Sequence, residues 1–115
     1  MGSQLVRSLV ATGRDVVVYD KLTYAGNRAF LDGVKHRFIE GDVCDADGVR
    51  RALDGVDAVV HMAAESHVAR SLTGPDTFLH TNILGTRVML DAACTAGIDR
   101  FIHISTDEVF GQAPH

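Results

Sequence analysis

The sequence has little of several residue types that mark special classes of protein. Its 115 residues include two Cys, two Pro and no Trp, and 15 Asp and Glu outnumber 11 Lys and Arg, for a formal net charge of −4. The lack of a basic excess argues against a protein that binds nucleic acid or an anionic membrane. The scarcity of proline argues against a disordered linker. No apolar run approaches the roughly 18 residues that a membrane span requires.

The two cysteines, Cys44 and Cys94, form no CxxC pair and follow no signal-peptide pattern. This usage is typical of reduced thiols in a cytoplasmic protein, and we expect both to be buried packing residues. Hydrophobic residues make up 46% of the chain and charged residues 23%, which are globular values. The length indicates a single domain that can bury a core without disulfides or metals.

Helix-like and strand-like stretches alternate along the chain, which is typical of a parallel α/β sheet. Helices are predicted over 2–12, 47–54 and about 76–96, and strands over 16–19, 36–40, 58–62 and 100–104. Gly13 and Gly97 stand where glycine commonly ends a helix. The apolar runs of the first two strands predict that helices cover both of their faces.

Each predicted strand ends in small or polar residues. These ends are Asp20-Lys21, Gly41-Asp42, residues 63–66 and residues 105–108. Ligands of open α/β sheets bind at the carboxyl ends of the strands, so four polar ends predict one shared crevice. For any single end, ordinary turn chemistry is the alternative, because Asp, Ser and Gly favour turns.

Two aspartates at these ends carry specific hypotheses. Asp20 closes a strand about twenty residues after the place of a phosphate-binding glycine turn, where a carboxylate accepts both hydroxyls of an adenine ribose and favours NAD over NADP. Asp42 is placed to reach the adenine base, with Val43 offering its backbone N–H. Asp42 could equally cap the helix that contains Asp47, and both interpretations stay open.

Five segments resemble the dTDP-glucose 4,6-dehydratases, which are extended short-chain dehydrogenase/reductases. They are YDKLTYAGN at 19–27, GDV at 41–43, HMAAESHV at 61–68, TNILGT at 81–86 and STDEVFG at 105–111. The resemblance covers essentially the whole chain in the right order. Its most specific element is Thr106-Asp107-Glu108, because sister epimerases and decarboxylases usually lack the Asp-Glu pair.

The resemblance implies a reaction in which NAD takes a hydride from C4 of the sugar, water is eliminated across C5 and C6, and the hydride returns to C6. Thr106 would bind the C4 hydroxyl, Asp107 would be the protonated acid at the C6 hydroxyl, and Glu108 would be the base at C5. Neighbouring residues of an extended segment point in different directions, so the pair could address two atoms. Two close carboxyl groups also push their ionisation apart.

The resemblance further implies the residues that bind cofactor and substrate. Packing is an equally good account of Leu22, Met62 and Ala63, and β-strand propensity is an alternative account of Thr106. His61 and His67 fit no zinc spacing, so no metal is expected. The implied NAD site consists of Gly2, Asp20, Lys21, Leu22, Thr23, Asp42, Val43, Met62, Ala63, Ala64, Glu65, Ser66 and Thr81, and Ser66 and Thr106 would also bind the substrate, dTDP-glucose.

The sequence departs from the family at both ends. The family's first strand and glycine-rich turn are represented only by what looks like the last glycine, Gly2, and the catalytic Tyr-x-x-x-Lys pair does not appear. The fold class expected is therefore α/β, an incomplete Rossmann-like doubly wound parallel sheet lacking its first strand. Residues 1–115 would form one partial NAD-binding domain, either an internal piece of a larger enzyme or the product of a truncated gene.

Loss of the central strand would leave the strands at Val16 and Ala58 without the neighbour that they share. We expect the chain alone not to turn over dTDP-glucose, and the full-length protein to be a cytoplasmic homodimer that binds neither nucleic acid nor membrane. A non-catalytic NAD-binding module and a sister epimerase or decarboxylase remain the alternative functions.

Overall fold

Within the residues that the structure describes, four α-helices and four short strands follow one another along the chain. The computed structural model describes residues 1–67, 71–72, 74–109 and 111, and only the backbone of Glu108. The helices are α1 (Gly2–Ala11), α2 (Ala46–Ala52), α3 (Pro75–Phe78) and α4 (Thr86–Thr95), and the strands are β1 (Val17–Asp20), β2 (Arg37–Glu40), β3 (Ala58–His61) and β4 (Arg100–His103). Short 3₁₀ turns span Arg28–Leu31 and Asp107–Val109.

The strands form two separate parallel pairs. Strand β1 pairs with β2, with Val17 opposite Arg37 and Asp20 opposite Glu40. Strand β3 pairs with β4, with Ala58 opposite Arg100 and His61 opposite His103. No hydrogen-bonded ladder joins β1 to β3 within the described residues. The prediction that these two strands lack the neighbour they would share is therefore confirmed.

The longest helix is continuous but changes its pitch. A π-helical segment over Leu79–Gly85 joins α3 to α4, so helical backbone runs from Pro75 to Thr95. The sequence predicted this helix but not its π-helical segment. Thr86 Oγ donates a hydrogen bond to the carbonyl of Asn82, four residues earlier, and this kind of side-chain bond competes with regular helical bonding. π-Helical turns are rare and occur frequently at functional sites.

Helix ends follow local chemistry that the sequence partly shows. Gly13 and Gly97 adopt φ values of +80° and +67° after α1 and α4, as predicted. At α2, however, the capping residue is Asp45, whose side chain accepts the Asp47 N–H. The interpretation of Asp42 as the helix cap is therefore wrong, because Asp45 directly precedes the helix whereas Asp42 lies four residues before its start.

The core lies between α2, α4 and the strands, and it joins the two sheets. Its buried side chains come from α2 and its flanks, from β3 and from α4, and Tyr19 of β1 and Phe101 of β4 pack against them. The core residues are Val43, Val49, Leu53, Val59, Met89, Ala92 and Ala93. One helical layer thus holds both strand pairs in place without a shared ladder.

Coverage of the strands differs from the expectation. The apolar residues of β1 and β2 are only partly buried, and β3 alternates between buried Val59 and His61 and exposed Ala58 and Val60. The prediction that both faces of β1 and β2 are covered is wrong, because apolar residues on both faces of these strands remain partly exposed. Of the cysteines, Cys44 is half-buried but Cys94 is exposed on α4, so burial of both was also wrong. Within the described ranges, no helix is long and apolar enough to span a membrane.

Candidate functional site

Parallel pairing brings the polar strand ends together in two groups. Because Asp20 lies opposite Glu40, the segment after β1 lies beside Gly41 and Asp42. Because His61 lies opposite His103, residues 62–66 leave the sheet beside the segment that leads to Thr106, and the Ile104 N–H extends this pairing to the His61 carbonyl at 3.0 Å. Strand register therefore places the predicted cofactor and catalytic segments at the same edge.

The segment after β1 turns sharply at Leu22. Asp20 is exposed, and its Oδ1 accepts the Leu22 N–H at 2.7 Å in a tight Asx turn. Leu22 adopts a φ of +52°, which is uncommon for a residue with a side chain. A methyl group at Gly26 would lie 2.6 Å from the Leu22 Cα, so glycine there permits the close return of the chain. Thr23 is exposed in the same turn.

Charged groups hold the end of β2 to the end of β1. Lys21 Nζ lies 2.5 Å from Asp42 Oδ2, and Asp42 Oδ1 accepts the Cys44 N–H at 2.9 Å. The Tyr19 hydroxyl donates a hydrogen bond to the Asp42 carbonyl at 3.0 Å. We call Tyr19, Lys21 and Asp42 the charged cluster. The sequence suggested Lys21 and Asp42 as cofactor residues but not that they would pair with each other.

Opposing effects act on the ionisable groups of the charged cluster. Burial alone would raise the pKa of Asp42, but hydrogen bonds from Lys21 and Cys44 outweigh it and hold that pKa below its usual value. The hydrogen bond to Asp42 and the charge of Asp42 raise the pKa of Lys21, and the charge of Glu65 acts in the same direction. Burial raises the pKa of Tyr19, as do the charges of Asp45 and Asp42. The ionised pair Lys21–Asp42 is thus stabilised.

Uncharged groups hold the end of β3. The carboxamide of Asn82 binds both backbone groups of Glu65, accepting its N–H through Oδ1 at 2.8 Å and donating from Nδ2 to its carbonyl at 2.9 Å. His61 Nε2 lies 3.1 Å from Thr86 Oγ, whose own hydrogen goes to the Asn82 carbonyl at 2.7 Å. We call His61, Glu65, Asn82 and Thr86 the neutral cluster, since its hydrogen bonds use no charged side chain.

His61 is the buried member of the neutral cluster, with 2% of its surface exposed. Burial lowers the pKa of His61, and the nearby His103, with ring centroids 5.2 Å apart, lowers it further. Because Thr86 uses its hydrogen on Asn82, the Thr86 oxygen accepts from His61, which assigns the neutral Nε2–H tautomer.

The π-helical segment stands between the two clusters. On one side, the His80 carbonyl accepts a hydrogen bond from Cys44 Sγ at 3.2 Å, and a methyl group at Gly85 would lie 2.6 Å from Val43 Cγ2. On the other side, Asn82 binds Glu65. The π-helical segment thus contacts the segments that follow both β2 and β3, and the single crevice shared by the strand ends stays a prediction.

The candidate catalytic segment follows β4. Thr106 and Asp107 are exposed, and Asp107–Val109 forms a 3₁₀ turn rather than the extended segment expected from the sequence. A residue that leaves a short strand is free to enter a helical turn, and here the Val109 N–H bonds to the Thr106 carbonyl at 3.4 Å. The side chain of Glu108 lies outside what the structure describes.

The remaining predicted residues occupy varied environments. The Val43 side chain is buried in the core, whereas Gly2 is the exposed first residue of α1. Met62 and Thr81 are half-buried, and Ala63, Ala64 and Ser66 are exposed at the crevice edge. Sequence reasoning missed Asn82 and Thr86 as site residues. The TNILGT segment at 81–86 contains both residues and was the one signal that could have suggested them.

The chain is similar in sequence and structure to proteins of one family. The sequence profile of the NAD dependent epimerase/dehydratase family matches residues 1–115. The chain belongs to this family. It is 50% identical over 123 aligned residues to the dTDP-glucose 4,6-dehydratase of Streptomyces griseus, an alignment that covers all of this chain and 37% of that protein. The chain thus spans little more than a third of the length of such curated relatives.

Solved structures of the family confirm the Rossmann-type α/β class. DesIV, a dTDP-glucose 4,6-dehydratase from Streptomyces venezuelae crystallised with NAD and TYD, matches with a TM-score of 0.91 and 48% identity over 99% of this chain and 38% of that one. The UDP-glucose 4-epimerase of Thermotoga maritima, crystallised with UDP-glucose, matches with a TM-score of 0.85 and 32% identity over 91% of this chain and 34% of that one. The resemblance to the dehydratases is confirmed, and this chain is 48% identical to DesIV but 32% identical to the epimerase.

Proposed function

We propose that this chain forms part of an NAD-dependent sugar-nucleotide 4,6-dehydratase that converts dTDP-glucose to dTDP-4-keto-6-deoxyglucose. The observation that carries the proposal is the position of Thr106-Asp107-Glu108. The triplet begins three residues after the end of β4, and the pairing of β4 with β3 supports a position close to the segment that follows β3. An acid and a base are the two groups that elimination of water requires.

The residues present fit the adenosine half of NAD. Asp20 is exposed at the carboxyl end of β1 and uses Oδ1 within its own turn, so Oδ2 is the oxygen that would accept the ribose hydroxyls. Asp42 and Lys21 lie beside it, and Asp42 would meet the adenine edge while paired with Lys21. A carboxylate at the position of Asp20 would repel the 2′-phosphate of NADP. When bound, NAD would supply the acceptor for the C4 hydride and return that hydride to C6.

The chain's own groups would then handle protons and orientation. Thr106 would hydrogen-bond the oxygen at C4 as the carbonyl develops, and Ser66 would bind substrate from the neighbouring turn. Asp107 would give its proton to the departing C6 hydroxyl, and Glu108 would take the proton from C5. Ala63 and Ala64, which have small side chains, would let the backbone approach the cofactor closely.

The test replaces the matching segment of the Streptomyces griseus dehydratase with this chain and follows the 4-keto-6-deoxy product by its absorbance in alkali. We expect an active chimera, with Asp107→Asn and Glu108→Gln each lowering product formation by about 10²-fold or more. Asp99→Asn is the matched control, because Asp99 is an exposed carboxylate just before β4.

Other outcomes would assign another function. A folded chimera that interconverts UDP-glucose and UDP-galactose, with unchanged activity in Asp107→Asn, would favour the epimerase alternative. For the isolated chain we expect no turnover. Saturable NAD binding weakened by Asp20→Ala would support the cofactor assignment, whereas equal affinity for NAD and NADP would contradict it.

We further propose that the full-length protein is a cytoplasmic homodimer that pairs through its long helix. Support comes from large apolar side chains on the exposed side of this helix, with Ile83 exposed by 64%, Leu79 by 54% and Leu90 by 43%. Exposed apolar side chains grouped on one helix are typical of a protein interface. Ile83→Asp should shift a dimer toward monomer in sedimentation, whereas Arg87→Asp on the same helix should shift it less.

A further inference from the structure

One side chain of the long helix holds a single residue of the crevice by both of its backbone groups. Asn82 accepts the Glu65 N–H at 2.8 Å and donates to the Glu65 carbonyl at 2.9 Å, although the two residues are separated by 17 positions in the chain. Both residues are half-buried. Strand β3 ends at His61, four residues before Glu65. The Asn82 carboxamide gives the Glu65 backbone the two hydrogen bonds that a neighbouring strand would otherwise provide.

Asn82 is itself held by a hydrogen bond to its backbone carbonyl. Its backbone carbonyl accepts the Thr86 hydroxyl at 2.7 Å, and Thr86 in turn accepts from buried His61 on β3. The contacts therefore form a closed circuit from β3 through Glu65, Asn82 and Thr86 and back to β3. A closed circuit of uncharged hydrogen bonds restricts the orientation of each member more than any of the bonds does alone.

We propose that Asn82 is the positioning residue for the turn at 62–66. By fixing the Glu65 peptide it sets the path of Ala63, Ala64 and Ser66, and this role rests on the proposed function, which assigns that turn to cofactor and substrate. Asn82 touches neither ligand in this account. Its effect passes through the backbone of Glu65.

Asn82→Asp in the full 115-residue chain is the sharpest test, because the two side chains have nearly the same shape. An ionised carboxylate can still accept the Glu65 N–H but faces the Glu65 carbonyl oxygen with a negative charge. A protonated carboxyl group can accept the N–H and donate its O–H to the carbonyl, which restores both bonds. We therefore expect the introduced carboxyl group to titrate above the ordinary aspartate pKa of about 3.9.

Two measurements follow from this chemistry. Carbon NMR gives the pKa of the introduced carboxyl group, and amide exchange gives the protection factor of the Glu65 N–H. Near neutral pH, Asn82→Asp should lower that protection about tenfold, and protonation should restore it. A side chain that merely fills space would show neither the raised pKa nor the recovery.

Asn27→Asp is the matched control. Asn27 Oδ1 accepts the Ala29 N–H at 2.9 Å at an exposed 3₁₀-helix start, where a carboxylate serves equally well. Its introduced carboxyl group should therefore not titrate above the ordinary value. An ordinary pKa for the group introduced at position 82, or unchanged protection of Glu65 in Asn82→Ala, would overturn the proposal.

NAD titration separates this proposal from the proposed function. If the wild-type chain binds NAD, Asn82→Ala should bind it about tenfold more weakly, and equal affinity would overturn the positioning role. If the wild-type chain fails to bind NAD while Glu65 responds to Asn82 as expected, the cofactor assignment fails and the role of Asn82 in fixing the turn stands.

Discussion

The charged cluster and the neutral cluster both hold strand ends in place, the first through an exposed ion pair and the second through hydrogen bonds between uncharged groups. Each ties the end of a strand to a neighbouring element at the crevice. In the charged cluster, the Lys21 and Asp42 side chains are 60% and 33% exposed, so water and salt weaken their attraction. In the neutral cluster, His61 is 2% exposed and the other three residues are half-buried, so water replaces their hydrogen bonds less readily.

The comparison teaches that exposure decides which kind of contact is sensitive to conditions. An exposed ion pair contributes little and varies with salt and acid, whereas a buried neutral network is costly to interrupt. We expect the β1–β2 end of the crevice to adapt to solution conditions and the β3 end to stay fixed. Three sets of measurements test this difference.

The largest expected effect on stability comes from adding a side chain at Gly41, which lies against Tyr19 of the charged cluster. A methyl group at Gly41 would overlap the Tyr19 hydroxyl and two adjoining ring carbons, so Gly41→Ala must displace Tyr19 and weaken its hydrogen bond to Asp42. Urea unfolding should show a loss of about 3 kcal/mol in the free energy of unfolding.

Gly2→Ala is the control for Gly41→Ala. Nothing lies within 4 Å of a methyl group at Gly2, so alanine in α1 should be neutral or stabilising by up to about 1 kcal/mol. A cost below about 1 kcal/mol for Gly41→Ala would mean that Tyr19 moves freely and that the cluster is loosely held.

The next effect concerns the neutral cluster. Thr86→Val keeps the side-chain shape but removes the hydroxyl that accepts from buried His61 and donates to Asn82, so we expect a loss of about 2 kcal/mol by thermal or urea unfolding. Thr95→Val is the matched control, since Thr95 makes the same helical bond to the Asp91 carbonyl at 2.8 Å but is exposed. Equal costs for the two variants would contradict the special role of the buried network.

The smallest effect concerns the ion pair. Asp42→Asn removes the charge that attracts Lys21 but keeps an oxygen that can accept the Cys44 N–H, so it should cost about 0.5 kcal/mol near neutral pH and less in high salt. Because the pKa of Asp42 is lowered in the folded chain, its contribution is present above the unfolded value of about 3.9 and lost as pH falls through the folded value. The curves of stability against pH for wild type and Asp42→Asn should therefore converge in acid.

His61→Gln tests a second pH range, which lies above that of Asp42. Since burial lowers the pKa of His61, the folded chain binds fewer protons there, and wild-type stability should decline as pH falls from about 6.5. Glutamine can still donate to Thr86 but does not titrate, so this decline should disappear while the loss attributed to Asp42 remains. If each variant differed from wild type in stability over the same pH range, the two clusters would not be independent.

Much of the fold could be predicted from the sequence. The four strands and the long helix lie within about two residues of their predicted bounds, because hydrophobic runs and glycine helix ends are local signals. The clusters could be predicted only in part. Asp20, Lys21 and Asp42 stood out as polar residues at strand ends, but their pairing depends on strand register, which the sequence did not specify.

The sequence by itself determined the element order, the polar strand ends and the family, because periodicity and short motifs act over a few residues. Only the tertiary structure decided that Asn82 and Thr86 serve the crevice, that Asp45 rather than Asp42 caps α2, and that Asp107 lies in a 3₁₀ turn. These outcomes rest on contacts between distant segments or on competition among nearby hydrogen-bond acceptors. A π-helical turn shifts the helix by about one residue, and that small shift sets which side chains face the sheet.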